Sequence, residues 1–112
     1  MEMKTETING DVTKIILTGR LDILGAQQID LHFAAITGSQ RKVIVDLEGV
    51  LFLASMGIRT LIMGAKSVKS KGGRIVLLKP TADVEKVLTG SGTDTVVAIM
   101  HDLESAIAAV VG

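Results

Sequence analysis

Ser55 is the residue whose position offers the most chemistry in this sequence. It follows the apolar run Val50–Ala54 and precedes Gly57 by two residues, where a strand is predicted to give way to a helix. A serine at a helix start can cap the helix by accepting a backbone N–H, a role worth ~1 kcal/mol. It can also accept a phosphate, which would face free N–H groups and the positive end of the helix dipole. The residues alone leave both roles open.

Asp22 is the second residue of interest. It follows Thr18–Leu21 in the predicted loop before the first helix, where aspartate is favoured as a turn or capping residue. If parallel strands bring this loop beside that of Ser55, both loops line one end of the sheet. Crevices at the carboxyl ends of strands are where open α/β sheets bind their ligands.

The helix predicted after Ser55 has an apolar side and a side with two methionines. The inward positions are Ile58, Leu61, Ile62 and Ala65. A step of ~100° per residue then turns a second set outward: Met56, Thr60, Met63 and Ser67, flanked by Arg59 and Lys66. Exposed methionines are typical of adaptable protein-binding surfaces. We therefore expect a protein-binding patch beside Ser55, with chance surface apolarity as the alternative.

Signals of catalysis or cofactor binding are weak. The segment Gly90–Thr95 is glycine-rich, but it lacks the Gly-Lys-Ser/Thr ending of a phosphate loop and precedes a strand. His32 and His101, both placed in predicted helices, have no Ser or Cys at a motif spacing. The absence of Cys excludes thiol catalysis and Cys-ligated zinc. We predict a protein that is not an enzyme and uses no metal or other cofactor.

Composition narrows the class further. The 112 residues suit a single domain, 1–112, and twelve Lys+Arg balance twelve Asp+Glu. That balance, with two Phe and no Trp or Tyr, argues against nucleic acid as a partner. Runs without a charged residue reach only ten residues, against the ~20 that a membrane span needs, and the N-terminus does not resemble a signal peptide. We expect a cytoplasmic protein.

The order of elements predicts an α/β fold. Asn9-Gly10 is a strong hairpin signal, and later strands alternate with amphipathic helices, which implies a mixed, mostly parallel sheet in the order ββαβαβαβα. The predicted strands are Met3–Ile8, Val12–Thr18 (ended by Gly19), Val43–Leu47, Arg74–Leu78 and Thr95–Ile99. The predicted helices are Leu24–Ile36, a second from Ser55 to Val68 stopped by Gly72-Gly73, Pro80–Leu88 and Leu103–Val111.

Several segments together resemble the STAS family, specifically the bacterial anti-sigma factor antagonists. They are Leu17–Asp22, Val43–Val50, Phe52–Arg59 and Gly72–Leu77. Each is weak alone, but their order and spacing extend over about 100 residues. The family fold, a small mixed sheet with helices packed on it, agrees with the predicted order of elements.

The resemblance implies a switch that is not enzymatic. Such antagonists, when unphosphorylated, bind an anti-sigma factor that is also a serine kinase, and so free the sigma factor. The kinase phosphorylates a serine that aligns with Ser55, and a protein phosphatase removes the phosphate. Asp22 matches a family aspartate near that loop. This sequence departs from the family by having Ala54 before the serine, in place of Asp, and Met56 after it, in place of Ser or Thr.

The predicted partner-binding residues are Asp22, Ala54, Met56, Gly57, Arg59, Thr60 and Met63. A second hypothesis is a constitutive STAS scaffold or transporter-accessory subunit in which Ser55 is only a cap, and Ala54 and Met56 favour it. A third, nucleotide binding, has no phosphate loop to support it. The same methionine patch would also serve a homodimer.

Overall fold

Five strands form one sheet in the order β1-β2-β3-β4-β5, in a computed structural model that describes residues 1–112. The strands are β1 (Glu2–Ile8), β2 (Val12–Leu21), β3 (Lys42–Leu53), β4 (Arg74–Leu78) and β5 (Ala98–Met100). The helices are α1 (Ile23–Ser39), α2 (Ser55–Ser70), α3 (Ala82–Gly90) and α4 (Leu103–Val111), with a short 3₁₀ turn at Thr93–Thr95. The predicted fold class and element order are confirmed.

Strand β1 pairs with β2 antiparallel, and the remaining strands are parallel. The hairpin turns at Asn9 and Gly10, which both have positive φ angles, 50° and 88°, as the residue pair predicts. Because β2 and β3 are parallel, the chain leaves both strands at the same edge of the sheet. The loops that follow them are therefore neighbours.

The sheet is covered unequally on its two faces. Helices α1, α2 and α3 lie on one face over a core of 19 buried apolar residues, while α4 closes a cluster of six on the other. Strand β3 lies between the two clusters, since Val43 and Val45 point into the larger and Ile44 into the smaller. This explains the uninterrupted apolar run in its sequence.

Two predicted strand boundaries at the carboxyl edge are wrong. Gly19 does not end β2, because its φ of 115° and register shifts on either side let the strand continue to Leu21. The apolar runs at Val43 and Val50 belong to one continuous strand, β3, which the longer β2 supplies with hydrogen-bond partners up to Leu53. The extra length carries Asp22 and Ser55 out to the edge together.

Smaller differences occur near the C-terminal end. The segment predicted as the start of the last strand forms the 3₁₀ turn instead, with backbone hydrogen bonds from Thr95 to Gly92 and from Val96 and Val97 to Thr93, so β5 begins only at Ala98. Helix α3 starts after Thr81, whose side chain accepts the Val84 N–H, rather than at Pro80. Helix α1 runs to Ser39, three residues beyond its predicted end.

Candidate functional site

The loops that carry Asp22 and Ser55 meet at the carboxyl edge of β2 and β3. Leu21 is paired with Leu53, and the Ala54 N–H donates to the Leu21 carbonyl across 3.0 Å. Asp22 and Ala54 also line one shallow surface depression of about 420 Å³. The structure thus confirms that the two loops lie side by side, as parallel strands require.

Asp22 caps α1. Its Oδ1 accepts the Gly25 N–H at 2.9 Å, and its Oδ2 lies 3.5 Å from Nε of Arg20. The Gly25 hydrogen bond and, to a lesser degree, Arg20 hold the pKa of the carboxyl below its ordinary value of 3.8. The capping role predicted for Asp22 is confirmed, and the carboxylate also marks the edge where Ser55 lies.

Ser55 is the first residue of α2 and is exposed. The cap position belongs to Ala54, whose backbone is extended (φ −116°, ψ 176°) and whose methyl group offers no cap hydrogen bond. The interpretation of Ser55 as an N-cap is therefore wrong by one residue. Because the first four N–H groups of a helix lack partners within the helix, α2 begins with donors that no side-chain cap satisfies, next to a free-standing hydroxyl.

Gly57 is buried, and it lets α2 pack closely against the end of β2. A Cβ on this residue would lie 2.4 Å from the Leu21 carbonyl oxygen and 2.6 Å from Leu21 Cγ. The Ser-x-Gly spacing therefore has a packing cause: glycine lets the helix start close enough to the sheet to leave Ser55 at the edge. Gly57 was predicted to contact a partner, but it is buried, and the structure gives it the role of positioning the start of α2.

Helix α2 is rotated relative to the predicted orientation. Thr60, predicted to face outward, is only 7% exposed, and its hydroxyl donates to Asp30 of α1 at 2.7 Å. The reason is that α1 lies along this side of α2, so Gly64 packs on Phe33. Met63 remains exposed at 56%, as predicted.

A groove of about 390 Å³ separates the two helices. Met56, half-buried against the main core, lines it together with Arg59, Thr60 and Met63. Of the four residues predicted to form an outward patch, Met56 and Thr60 therefore form part of the wall of this groove. Only Arg59 and Met63 are exposed.

One contact at this edge, between Arg20 and Phe52, is not predicted by any pattern in the sequence. The Arg20 guanidinium carbon lies 4.3 Å above the centre of the Phe52 ring, a cation–π contact, while its Nε faces Asp22. The pairing of Arg20 with Phe52 depends on a register shift between β2 and β3. Because that shift follows no residue rule, the spacing of these residues along the chain could not reveal the contact.

The other candidate residues lie elsewhere. His32 is exposed on α1; His101 precedes α4, contrary to its predicted place in a helix, and its Nε2 lies 2.9 Å from Oε1 of Glu85. No group of three or more His, Cys, Asp or Glu residues is arranged to hold a metal ion. The Gly90–Thr95 segment connects α3 to β5 as a turn. None of the helices is long and apolar enough to cross a membrane.

Comparison with known proteins agrees with this fold. The STAS domain profile matches residues 3–106, and the chain belongs to the STAS domain family. A Lysinibacillus sphaericus protein named anti-sigma F factor antagonist is 29% identical over 94 residues, covering 82% of this chain and 80% of that protein.

Two solved structures are also similar. An anti-sigma-factor antagonist (STAS) domain protein from Planctomyces limnophilus is 29% identical, with a TM-score of 0.82 and coverage of 96% of this chain and 95% of that one. The anti-sigma factor antagonist SpoIIAA in its unphosphorylated form is 24% identical, with a TM-score of 0.77 and coverage of 93% and 90%. SpoIIAA from Bacillus has also been solved in a phosphorylated form.

Proposed function

We propose that this chain is an anti-sigma factor antagonist switched by phosphorylation of Ser55. Unphosphorylated, it binds an anti-sigma factor that is also a serine kinase, and this binding frees a sigma factor in the cytoplasm. Phosphorylation of Ser55 by that kinase weakens the complex, and a protein phosphatase restores it. Membership of the STAS family and the names of two relatives at 29% identity support the antagonist role.

The observation that carries the proposal is the first turn of α2. Ser55 is exposed there beside N–H groups that no side-chain cap uses. A phosphate on Ser55 would receive those N–H groups and the positive end of the helix dipole. Arg59 follows one turn later on the same side of the helix, at the spacing at which opposite charges attract. The fold can therefore accept the phosphate without rearrangement.

The same phosphate would oppose binding. It adds ≈ −1.5 to −2 charges at pH 7 to an edge where α2 has no acidic residue in its first turn. A partner that fits the unmodified edge would then meet a charge that it must desolvate or that it repels. The switch needs no change in fold, because the negative charge added at the start of α2 is sufficient to weaken binding.

The experiment compares binding and modification of matched variants. Wild-type protein and Ser55→Ala are incubated with ATP in a lysate of the source cells, and phosphorylated sites are mapped by mass spectrometry. The captured anti-sigma factor is then purified and its Kd measured for wild type, Ser55→Asp and Ser70→Asp. Ser70 is exposed at the far end of the same helix, so this control adds an equal charge at another position.

We expect phosphate on Ser55 and binding at least tenfold weaker for Ser55→Asp, which corresponds to about 1.4 kcal/mol. Ser70→Asp should bind nearly as wild type. Equal affinity of wild type and Ser55→Asp, with Ser55 unmodified in the presence of the bound kinase, would contradict the switch and favour the constitutive scaffold.

A further inference from the structure

The centre of the outward side of α1 has no charged side chain, and the exposed residues Asp30 and His32 lie on its two flanks. A step of ~100° per residue places seven exposed residues on this side, here called the uncharged stripe: Leu24, Gln27, Gln28, Leu31, Ala34, Ala35 and Gly38. Leu31 is 88% exposed and Leu24 63%. Surface helices ordinarily put charged and polar residues on this side, and two large aliphatic residues two turns apart are more than one isolated exposed side chain.

The uncharged stripe is continuous with the edge that carries Ser55. The depression between the two loops is lined by Asp22, Ile23, Leu24, Gln27 and Ala54. Leu24 and Gln27 belong to the stripe, and Ala54 precedes Ser55. A partner seated over Ser55 would therefore contact the first turns of α1 as well.

The neighbouring outward side of α2 is cationic. Arg59 and Lys66 are exposed there, and neither takes part in any of the five ion pairs of the protein. The two surfaces thus differ in chemistry: the stripe combines two leucines with uncharged glutamine, alanine and glycine and is bordered by Asp30 at the groove, whereas the outward side of α2 carries the positive charges of Arg59 and Lys66. A complementary surface would combine an apolar strip with acidic side chains along one of its borders.

We propose that the uncharged stripe and the cationic side of α2 form one docking surface for the anti-sigma factor. The partner contributes an apolar strip over Leu24 and Leu31 and acidic side chains opposite Arg59 and Lys66. This inference rests on the proposed function, and it adds a second, uncharged contact area that phosphorylation does not alter.

The size of the stripe favours a partner that covers both surfaces. A helix of 17 residues is ~26 Å long and ~10 Å wide, so the stripe offers about 260 Å². Specific complexes bury about 800 Å² on each partner. The stripe is therefore an extension of a larger contact and is too small to hold a complex by itself.

A second copy of the chain fits less well. Antiparallel pairing of α1 with its counterpart would set the cationic side of one α2 against that of the other, and like charges in contact are costly. Parallel pairing would avoid this contact but would bury little beyond the stripe. Charge and area both favour a different protein with acidic side chains.

The test uses the purified anti-sigma factor recovered with wild-type protein in the Ser55 comparison. Leu31→Ser and Leu24→Ser are each expected to weaken binding about tenfold, equally at low and at high salt, because uncharged contacts are not screened. Lys66→Gln should weaken binding at low salt only. Val111→Ser, at a residue 42% exposed on α4, is the control and should bind as wild type. Leu31 is almost fully exposed, so its replacement should leave the urea midpoint unchanged.

The outcomes separate the two proposals. Unchanged binding of Leu31→Ser and Leu24→Ser, with weaker binding of Ser55→Asp, would overturn the docking surface and leave the switch intact. Unchanged binding of Ser55→Asp, with weaker binding of Leu31→Ser, would overturn the switch alone. If Leu31→Ser changes the mass of the isolated protein in sedimentation but not the Kd, a second copy covers the stripe and the proposal is wrong. Failure of wild type to retain any anti-sigma factor would overturn both.

Discussion

Helices α1 and α2 start at the same edge of the sheet and lie side by side, but their first turns are completed differently. Asp22 caps α1 through the Gly25 N–H, whereas Ala54 leaves α2 without a side-chain cap. In both helices the third residue is a glycine, Gly25 or Gly57, that touches the end of β2. The two starts therefore share their packing and differ in how their N–H groups are satisfied.

The two helix starts therefore differ in whether an anion can still bind there. In α1 a carboxylate belonging to the chain already occupies the N-terminus. In α2 the same place is open, and Ser55 stands where a phosphate would fill it. The family resemblance leads us to expect Asp at position 54, and with Ala54 in that place α2 lacks the kind of cap that Asp22 gives to α1.

The largest change in stability is expected from replacing the glycine that both helix starts share. A Cβ would lie 2.0 Å from the Arg20 carbonyl oxygen at Gly25 and 2.4 Å from the Leu21 carbonyl oxygen at Gly57. Since backbone must move to relieve either contact, Gly57→Ala and Gly25→Ala should each lower the free energy of unfolding by about 2 kcal/mol, overpacking outweighing the gain in helix propensity. Urea denaturation measures the change.

Gly38→Ala provides the matched control for both glycines. Gly38 lies in α1, and a Cβ on this residue would have nothing within 4 Å, so alanine there should be neutral or stabilising by up to about 1 kcal/mol. If Gly57→Ala were as stable as Gly38→Ala, the close approach of α2 to β2 would not be what positions Ser55.

The next effect tests the difference between the two starts. Ala54 already has the extended backbone of a cap residue, so Ala54→Asp should supply the missing hydrogen bond and raise the free energy of unfolding by about 1 kcal/mol. Ala54→Asn adds a comparable cap without charge. A gain common to both variants assigns the effect to capping, and a gain in Asp alone assigns it to the helix dipole. No gain in either would mean that the N–H groups of α2 are already satisfied.

Much of this edge could be predicted from the sequence because it follows from local patterns. The hairpin, the alternation of strands and helices and the cap at Asp22 each depend on neighbouring residues. That the loops of Asp22 and Ser55 are neighbours follows from the parallel order of β2 and β3, although the extension of both strands to Leu21 and Leu53 was not predicted. These features required no knowledge of how helices pack on one another.

The features that sequence patterns missed depend on packing between elements. Burial of Thr60 results from the position of α1 beside α2, which a helical wheel for α2 cannot include. The assignment of Ser55 as a cap was wrong by one residue, because Leu21 accepts the Ala54 N–H and so fixes where the helix begins. The contact between Arg20 and Phe52 depends on the register of β2 and β3.

The smallest expected effect is a difference in acid sensitivity between the two starts. The pKa of Asp22 is lowered from 3.8, mainly by the Gly25 N–H, so the folded state binds this proton less readily than the unfolded state does. The stabilisation is therefore complete above the unfolded pKa and is lost as the pH falls through the lower, folded pKa. Helix α2 has no acidic residue in its first turn and should lack this dependence.

Hydrogen exchange at the Gly25 and Gly57 amides, each three residues after the cap position of its helix, is followed from pH 6 to pH 3 after correction for the intrinsic exchange rate and distinguishes the two starts. Protection of Gly25 should decrease toward low pH in wild type, and Asp22→Asn, which keeps a cap oxygen without a titrating group, should flatten that decrease. Asp102→Asn is the matched control, since Asp102 caps α4 and its pKa is also lowered, mainly by the Ser105 N–H; it should leave the Gly25 profile unchanged. Ala54→Asp should transfer acid sensitivity to α2.

If protection of Gly25 decreased equally in Asp22→Asn, the carboxylate would not be what completes the start of α1, and the contrast between the two helices would have to lie in their outward surfaces alone.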